Sequence, residues 1–487
     1  MKVTYIESNI DSRDHDIGIV HIGLGAFHRA HQAVYLEKTL KEHDGDWMIF
    51  AANIRSNSQL VQQLEQASHR YHVVEYSDST DATVREIRAI KSSIYCGDDV
   101  ERARLVAQMA EPSTRIITLT VTEKGYYLSP STGNLLLEHA DIQHDLLYPG
   151  RPKSALGLIL AALKRRRSDG TKPFTVLSCD NMPHNGNRTK RAVISLAEAN
   201  DPDMAMWIKE HVSFPNSMVD RIVPAATGDD LESIYVDTGI DDPSVVKCEA
   251  FSEWVVEDDF PAGRPQLESS GVLMVQDVSL YESRKLRMLN GSHSLLAYLG
   301  LHAGHKTVAQ AMRDPDIPKF LQRYMLEEVA PTLPDFSKLE LQKYCKRLLV
   351  RFENSSLQHQ LKQIAMDGSQ KLPQRWLEGL VELQSISRKA PAIELGIAGW
   401  ISFISRAQAN HEIIDDPLGS SLAELVRSNS ASSADLVAAC LDLKEIFPKS
   451  LSVQTDFVDR LITLVDCLRS GTPVQQMMNE YPGNLVS

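Results

Sequence analysis

Lys285-Leu-Arg-Met-Leu-Asn290-Gly-Ser-His293-Ser sets a lysine, an amide and an imidazole at i, i+5 and i+8. On an α-helix i, i+4 and i+8 share a face, and i+5 is offset by one place. The spacing predicts a helix start that aims the three side chains into one cleft. A lysine loses its proton readily when desolvated and can then act as a general base, and a neutral amide can donate to an oxyanion. The same trio also suits a solvated helix face. What separates the two readings is whether the rest of the chain supplies something for the lysine to work with.

Residues 17–23, Ile-Gly-Ile-Val-His-Ile-Gly, read as a short buried strand. It leads into Gly23-Leu-Gly25-Ala26-Phe27-His28-Arg29, and a helical pattern follows through Tyr35, Leu36 and Leu40. Strand, Gly-x-Gly turn and helix is the dinucleotide-binding arrangement. Gly23 permits the tight turn, Gly25 lets the backbone approach a pyrophosphate, and the helix N-terminus favours its negative charge. The expected cofactor contacts are Ile22, Gly23, Gly25, Ala26, Phe27, His28 and Arg29. His28 stands where the usual fingerprint has its third glycine. With such a cofactor the lysine has a reaction. A secondary alcohol gives its hydride to nicotinamide, and the protein must accept the proton and stabilise the alkoxide. Lys285 is then base in oxidation and acid in reduction, and Asn181 and Asn290 are the neutral oxyanion donors.

The elements that must position these residues alternate in the first half. Trp47–Ile54, Tyr71–Tyr76, Thr114–Thr122 and Pro173–Ser178 read as strands. Gln59–Ala67, Ser154–Arg166 and Arg188–Ala199 read as helices. The alternation predicts a parallel sheet flanked by helices, with ligands beyond the C-terminal ends of its strands, near Glu123 and Asn181. Beyond about residue 280 the period becomes helical. Ile393, Ile397, Trp400, Ile401 and Ile404 form one stripe, and Phe457, Val458, Leu461, Leu464, Val465 and Leu468 another. Connections fall at 331–337 and 416–421. The fold class expected is α/β: a Rossmann-type dinucleotide-binding domain over 1–280, then a mainly α-helical domain over 281–487. Lys285–His293 lies at the junction, as a cleft between domains requires.

Composition sets limits. The chain has 487 residues, enough for two or three domains, and a net charge of −13. An acidic surface argues against a nucleic-acid or anionic-membrane partner. The one basic run, Lys164–Arg167, ends a helical pattern and suits a capping face. No apolar stretch approaches the ~20 residues of a membrane helix, and the first residues lack a signal peptide's apolar core. Six scattered cysteines without short paired spacings predict reduced thiols, a cytoplasmic protein and no zinc site.

Five ordered motifs give a more specific reading: the loop Gly23–Gln32, Thr120-Val-Thr-Glu123-Lys-Gly-Tyr126, Ser178-Cys-Asp180-Asn181, Phe214-Pro-Asn-Ser-Met-Val-Asp220-Arg221-Ile-Val-Pro224, and Lys285–His293. Together they resemble the mannitol dehydrogenase family of polyol and hexuronate oxidoreductases over nearly the whole chain. The resemblance implies the same roles for Lys285, Asn181 and Asn290. It adds His293 as a catalytic-site residue, with Asp220, Lys371, Glu123 and Glu282 around the substrate and Glu282 as a relay for the lysine's proton. On residue type alone, Asp220 could instead be an ion-pair partner of Arg221.

The segment Gln363-Ile-Ala-Met-Asp367-Gly-Ser-Gln-Lys371-Leu-Pro-Gln-Arg375 resembles the family's hexuronate branch, the fructuronate reductases or D-mannonate oxidoreductases. Mannitol-oxidising members carry arginine where Gln363 stands. A hexuronate's carboxylate needs a cation, which Lys371 with Arg287 or Arg375 could provide. The expected reaction is D-fructuronate plus NADH to D-mannonate. The alternatives are a mannitol 2-dehydrogenase or related polyol dehydrogenase, and a non-catalytic nucleotide-binding relative. The cofactor expected from the resemblance is NAD, with NADP left open: Ala52–Ser58 holds no carboxylate past the second strand, and Arg55 could take a 2′-phosphate. No metal is required. The partners are a small sugar acid or polyol, and oligomeric state is not readable.

Overall fold

The apolar run Ile17–Ile22 (β1) is the middle strand of a five-stranded sheet, buried from Gly18 onward. Met48–Asn53 (β2), Ile90–Tyr95 (β3), Ile116–Leu119 (β4) and Thr175–Ser178 (β5) complete it in the order β3-β2-β1-β4-β5. All four pairings are parallel. Parallel neighbours need crossovers, and Gln32–Glu42, Ser58–Gln66, Asp99–Ala110 and Ala155–Ser168 lie between successive strands. The strand order reverses between β1 and β4, which is where such sheets bind ligands. The computed structural model describes all residues except 12, 130–131, 358 and 481–487.

This sheet belongs to the first of two compact units, Met1–Ser279; the second is Leu280–Ser487. One expectation for the first unit needs correction. Tyr71–Tyr76 is a strand, but it lies in a second sheet, antiparallel to Asp81–Ile87 and parallel to Val246–Glu249. The link Ser77–Thr80 is too short for a crossover, so the chain must return as a hairpin. Ile90–Tyr95 takes the place in the parallel sheet, although its Lys-Ser-Ser interior hides it. A third sheet, not foreseen, joins Ser217–Asp220, Glu253–Glu257 and Leu273–Val275. The basic run closes the helix Ala155–Ser168, and Arg166 is buried, donating to the carbonyls of Met109 at 3.0 Å and Lys172 at 2.7 Å.

The second unit is helical, with no strand among its described residues. Pro391–Ala409 buries Ile393, Ile397, Trp400, Ile401 and Ile404, and packs on Thr455–Arg469, which buries Phe457, Leu461, Leu464, Val465 and Leu468. Each such side chain contributes about 1.5–3 kcal/mol on burial. The connection predicted over 416–421 ends early, because a helix starts at Gly419. Among the described residues no helix is long and apolar enough to cross a membrane. Three segments of this unit, Lys285–Asn290, Tyr324–Val329 and Pro373–Leu377, are wound as π-helix.

Candidate active site

In the first unit the chain leaves β1 through Gly23, whose φ of +107° favours glycine. A Cβ there would lie 2.1 Å from the Thr120 carbonyl oxygen, so the close approach of β1 to β4's end also demands it. A Cβ on Gly25 would meet only the Gly23 carbonyl, at 3.8 Å, leaving open space beside the backbone. No side chain caps the short helix Ala26–Ala30 that starts there. A bare glycine cradle at a helix start fits a pyrophosphate. Ile22 is buried below it, and Ala26 and Phe27 are half-buried.

The next two side chains turn inward. His28 stacks on His21 with ring centroids 3.4 Å apart and planes 10° apart, and burial holds both imidazoles well below their usual pKa, His21 at about 3. His21 in turn lies 2.8 Å from Thr118 Oγ1 and 3.0 Å from Thr120 Oγ1. The Arg29 guanidinium is buried, bonds to the Ser244 carbonyl and lies over the Tyr71 ring. For His28 the expected cofactor contact therefore narrows to its backbone, and the Arg29 N–H already donates to the Gly25 carbonyl at 3.2 Å.

Beyond β5, Asp180 ties two strand ends together. It accepts from Val121 N at 3.0 Å, Thr122 N at 2.9 Å and Tyr126 Oη at 2.7 Å, while burial raises its carboxyl above the usual range. Asn181 follows, exposed, and Glu123 is exposed at the start of the turn Glu123–Tyr126. Asp220 ends the strand Ser217–Asp220 and is buried. Arg221 does not serve it as a salt-bridge partner: its guanidinium goes to Glu75 at 2.8 Å and to the carbonyls of Ala30 and Glu249. Arg55 is exposed two residues past β2 and pairs with Asp141 at 2.5 Å.

In the second unit the π-wound turn changes the geometry expected of the Lys285 motif. An i→i+5 ladder stacks a residue against the fifth one on, so Lys285 and Asn290 share a face that a regular α-helix would deny them. Lys285 is buried, Asn290 half-buried, and Glu282 is buried one turn earlier. The carbonyls along the turn are caught by side chains from the other two π segments. Tyr324 Oη donates to Arg287 O at 2.6 Å, Arg375 Nη1 to Asn290 O at 3.0 Å, and Trp376 Nε1 to Gly291 O at 3.2 Å. Gly291 leaves room for this clasp, since a Cβ there would stand 2.0 Å from Tyr324 Oη. The Arg284 guanidinium sits over the rings of Tyr344, Phe336 and Tyr281 at 4.2–5.1 Å.

His293 is buried against Phe352 and His359, with ring centroids at 4.8 and 5.3 Å. Burial, then His359, Arg351 and Arg375, hold its imidazole well below the usual range. Among the described residues neither His293 Nε2 nor His359 Nδ1 has a hydrogen-bond partner. Lys371 Nζ donates to Met366 O at 2.5 Å and Ile364 O at 3.3 Å, with Asp367 Oδ2 at 3.8 Å, and burial and then Arg375 lower its pKa. Arg375 also donates to Ser294 Oγ at 2.8 Å, and burial brings it down to about 10. Among the described residues it makes no ion pair. Arg287, the other cation considered for a carboxylate, is removed from the choice: it forks onto Glu382 with both bonds at 2.7 Å. Sequence reasoning missed His359, Tyr324 and Trp376. Only the aromatic character of the last two hinted at a packing role.

A parallel sheet reversing at a glycine cradle is the arrangement of a dinucleotide-binding domain. The chain belongs to the mannitol dehydrogenase family: residues 17–269 match that family's Rossmann domain and residues 277–468 its C-terminal domain. It is an oxidoreductase of that family. It is 44% identical to the uncharacterized oxidoreductase YeiQ of Escherichia coli (strain K12), over 91% of this chain and 90% of that one. It is 43% identical to the D-mannonate oxidoreductase of the same organism, over 93% and 95%. The ternary complex of Pseudomonas fluorescens mannitol 2-dehydrogenase with NAD and D-mannitol superimposes with a TM-score of 0.81, at 34% identity, covering 98% of this chain and 96% of that one.

Proposed function

We propose that the protein is an NAD(H)-dependent dehydrogenase of a C6 sugar acid, interconverting D-fructuronate and D-mannonate. The observation that carries the substrate class is the cluster of Lys371, Arg375 and His359. Arg375 depresses the neighbouring Lys371, and among the described residues the one carboxylate paired with either is Asp367, at 3.8 Å from Lys371. Desolvated cations are stabilised by an anion, and a uronate brings one. The similarity to a D-mannonate oxidoreductase supports the same reading, and NAD is favoured by the complex of the Pseudomonas protein.

With a dinucleotide bound by its pyrophosphate at the glycine cradle, the nicotinamide would supply the hydride chemistry. Within residues 22–29 the backbone N–H groups of the helix start, Ala26 to His28, would hold the pyrophosphate, since those of Gly23, Gly25 and Arg29 donate to the carbonyls of Ala52, Gly23 and Gly25. Lys285 Nζ takes the hydroxyl proton in oxidation and returns it in reduction, with Glu282 relaying it. Asn290 and Asn181 donate to the developing alkoxide, where N–H groups contribute most because the charge appears only in the transition state. This donor set completes the proton chemistry without a metal. His293, neutral at working pH, orients the substrate, and Asp220 and Glu123 accept from its hydroxyls. A second reading, mannitol 2-dehydrogenase, is favoured by the similarity to the Pseudomonas protein and to fungal mannitol 2-dehydrogenases.

The deciding experiment compares kcat/KM on fructuronate, tagaturonate, fructose and fructose 6-phosphate, with both cofactors. Fructuronate with NADH should lead. Lys371→Met should then cost about 1.5–3 kcal/mol more on fructuronate than on fructose, one hydrogen bond to a charged group. Equal losses on the two substrates would mean that Lys371 meets a shared hydroxyl, and the mannitol reading would replace this one.

A further inference from the structure

Rossmann sites discriminate between NAD and NADP just past the second strand. An acid there binds the ribose hydroxyls and repels a 2′-phosphate, whereas an arginine accepts the phosphate. Here β2 ends at Asn53, and Ile54-Arg55-Ser56-Asn57-Ser58 offers a cation and no carboxylate. Taken alone, this stretch describes a site open to NADP.

The structure brings in a carboxylate from far along the chain. Asp141, in the first turn of the helix Ala140–Leu147, places Oδ2 2.5 Å from Arg55 Nη2. Tyr127 Oη donates to the same oxygen at 3.1 Å and accepts from Arg55, whose guanidinium lies 5.9 Å from the Tyr127 ring centroid. His139 Nδ1 stands 3.7 Å from Asp141 Oδ2. Burial pushes the Asp141 carboxyl up, but the hydrogen bond and charge of Arg55 outweigh it and hold it below its usual range. Arg55 is thus engaged by an anion and a phenol together, and the side chains of Ser56, Asn57 and Ser58 beside it are exposed and uncharged.

We propose that Asp141 does what the missing strand-end acid would do: by pinning Arg55 it makes this site select an unphosphorylated ribose. A phosphate approaching Arg55 meets Asp141's negative charge at the same place, so the pair offers a dianion little net attraction. A neutral ribose hydroxyl incurs no such repulsion. The inference rests on the reading of residues 22–29 as a dinucleotide site.

Calorimetric titration tests it without turnover, using 5′-AMP, adenosine 2′,5′-bisphosphate, NAD⁺ and NADP⁺ as probes. The wild type should bind 5′-AMP and NAD⁺ more tightly than their 2′-phosphorylated counterparts. Asp141→Asn keeps the shape and releases Arg55, so the bisphosphate should gain about 10- to 100-fold relative to 5′-AMP, the yield of one charge-assisted bond. Adding Arg55→Ala to that variant should abolish the gain, and Arg55→Ala alone should worsen bisphosphate binding by leaving Asp141 uncompensated. An unchanged ratio in Asp141→Asn, or a wild type that already prefers the 2′-phosphate, would overturn the proposal. Failure of 5′-AMP and NAD⁺ to bind any variant would instead overturn the dinucleotide reading beneath it.

Discussion

The clasp around Lys285–Asn290 can be taken apart one atom at a time. Tyr324 is fully buried, and its hydroxyl is 2.6 Å from the Arg287 carbonyl. Tyr324→Phe removes that donor and leaves the carbonyl orphaned, at a cost of about 1–3 kcal/mol. Gly291→Ala attacks the same contact from the other side, placing a Cβ 2.0 Å from Tyr324 Oη, 3.0 Å from its Cζ and 3.3 Å from Trp376 Nε1. Overpacking of this kind costs about 1–3 kcal/mol, partly offset by roughly 1 kcal/mol of helix propensity. With the hydroxyl gone the nearest contact relaxes to 3.0 Å, so the two effects cannot add. The double variant should be more stable than the sum of the singles by about 1 kcal/mol, a coupling that thermal denaturation of the four proteins reads directly. Kinetics supply the functional half. Lys285 and Asn290 both ride on this turn, and small misplacements of reacting groups cost as much as ~10²-fold. Tyr324→Phe should therefore lower kcat by roughly tenfold while KM moves little. Additive single effects, or a Tyr324→Phe variant with wild-type kcat, would refute the clasp.

Lys285→Ala should lower kcat by about 10²–10⁴-fold, the usual cost of a general base, while calorimetric NAD⁺ affinity stays nearly intact. A variant retaining most of its kcat would remove Lys285 from the proton path. Asn290→Ala should lose about 10²–10³-fold in kcat and far less in KM. A loss confined to KM would make it a plain binding residue. Glu328 is buried, and burial pushes its carboxyl up to about 8 although Ala392 N and Ile393 N donate to it at 2.6 and 3.0 Å. A carboxyl raised in the folded state holds a proton that the unfolded chain releases. Its stabilisation is therefore complete below about pH 4.5 and is lost as pH rises towards about 8. Glu328→Gln should lose less stability than the wild type between pH 5 and 8, and superimposable Tm profiles would count against this.

The parallel sheet was legible because its strands are apolar runs separated by helical periods, and those signals are local. Where the prediction failed, pairing was decided at long range. Tyr71–Tyr76 reads the same whether it joins β2 or turns back on Asp81–Ile87, and its parallel partner Val246–Glu249 lies far along the chain. Ile90–Tyr95 is half polar, yet β2 claims it. The sheet carrying Asp220 joins three short strands whose sequences show little alternation. The missing third glycine has a physical account that two separate oddities could have suggested. A histidine inside a buried strand and another at the fingerprint's third glycine stack on each other.

The candidate site was legible as residue types and not as availability. Lys285, Asn290 and His293 were singled out by spacing, but regular helix geometry offsets Lys285 from Asn290. Their shared face depends on a π-wound turn whose supports come from Tyr324, Arg375 and Trp376. The arginines make the same point more sharply. From sequence, Arg287 and Arg375 stood alike as partners of Lys371 for a substrate carboxylate, and Arg55 was open to a cofactor's 2′-phosphate. Folding gives Arg287 a bidentate bond to Glu382 and gives Arg55 the carboxylate of Asp141. Arg375 receives only a carbonyl and a hydroxyl, and keeps its charge uncompensated by any ion pair among the described residues. We infer that Arg375, which the protein has left without an acid of its own, joins Lys371 in meeting an anionic substrate.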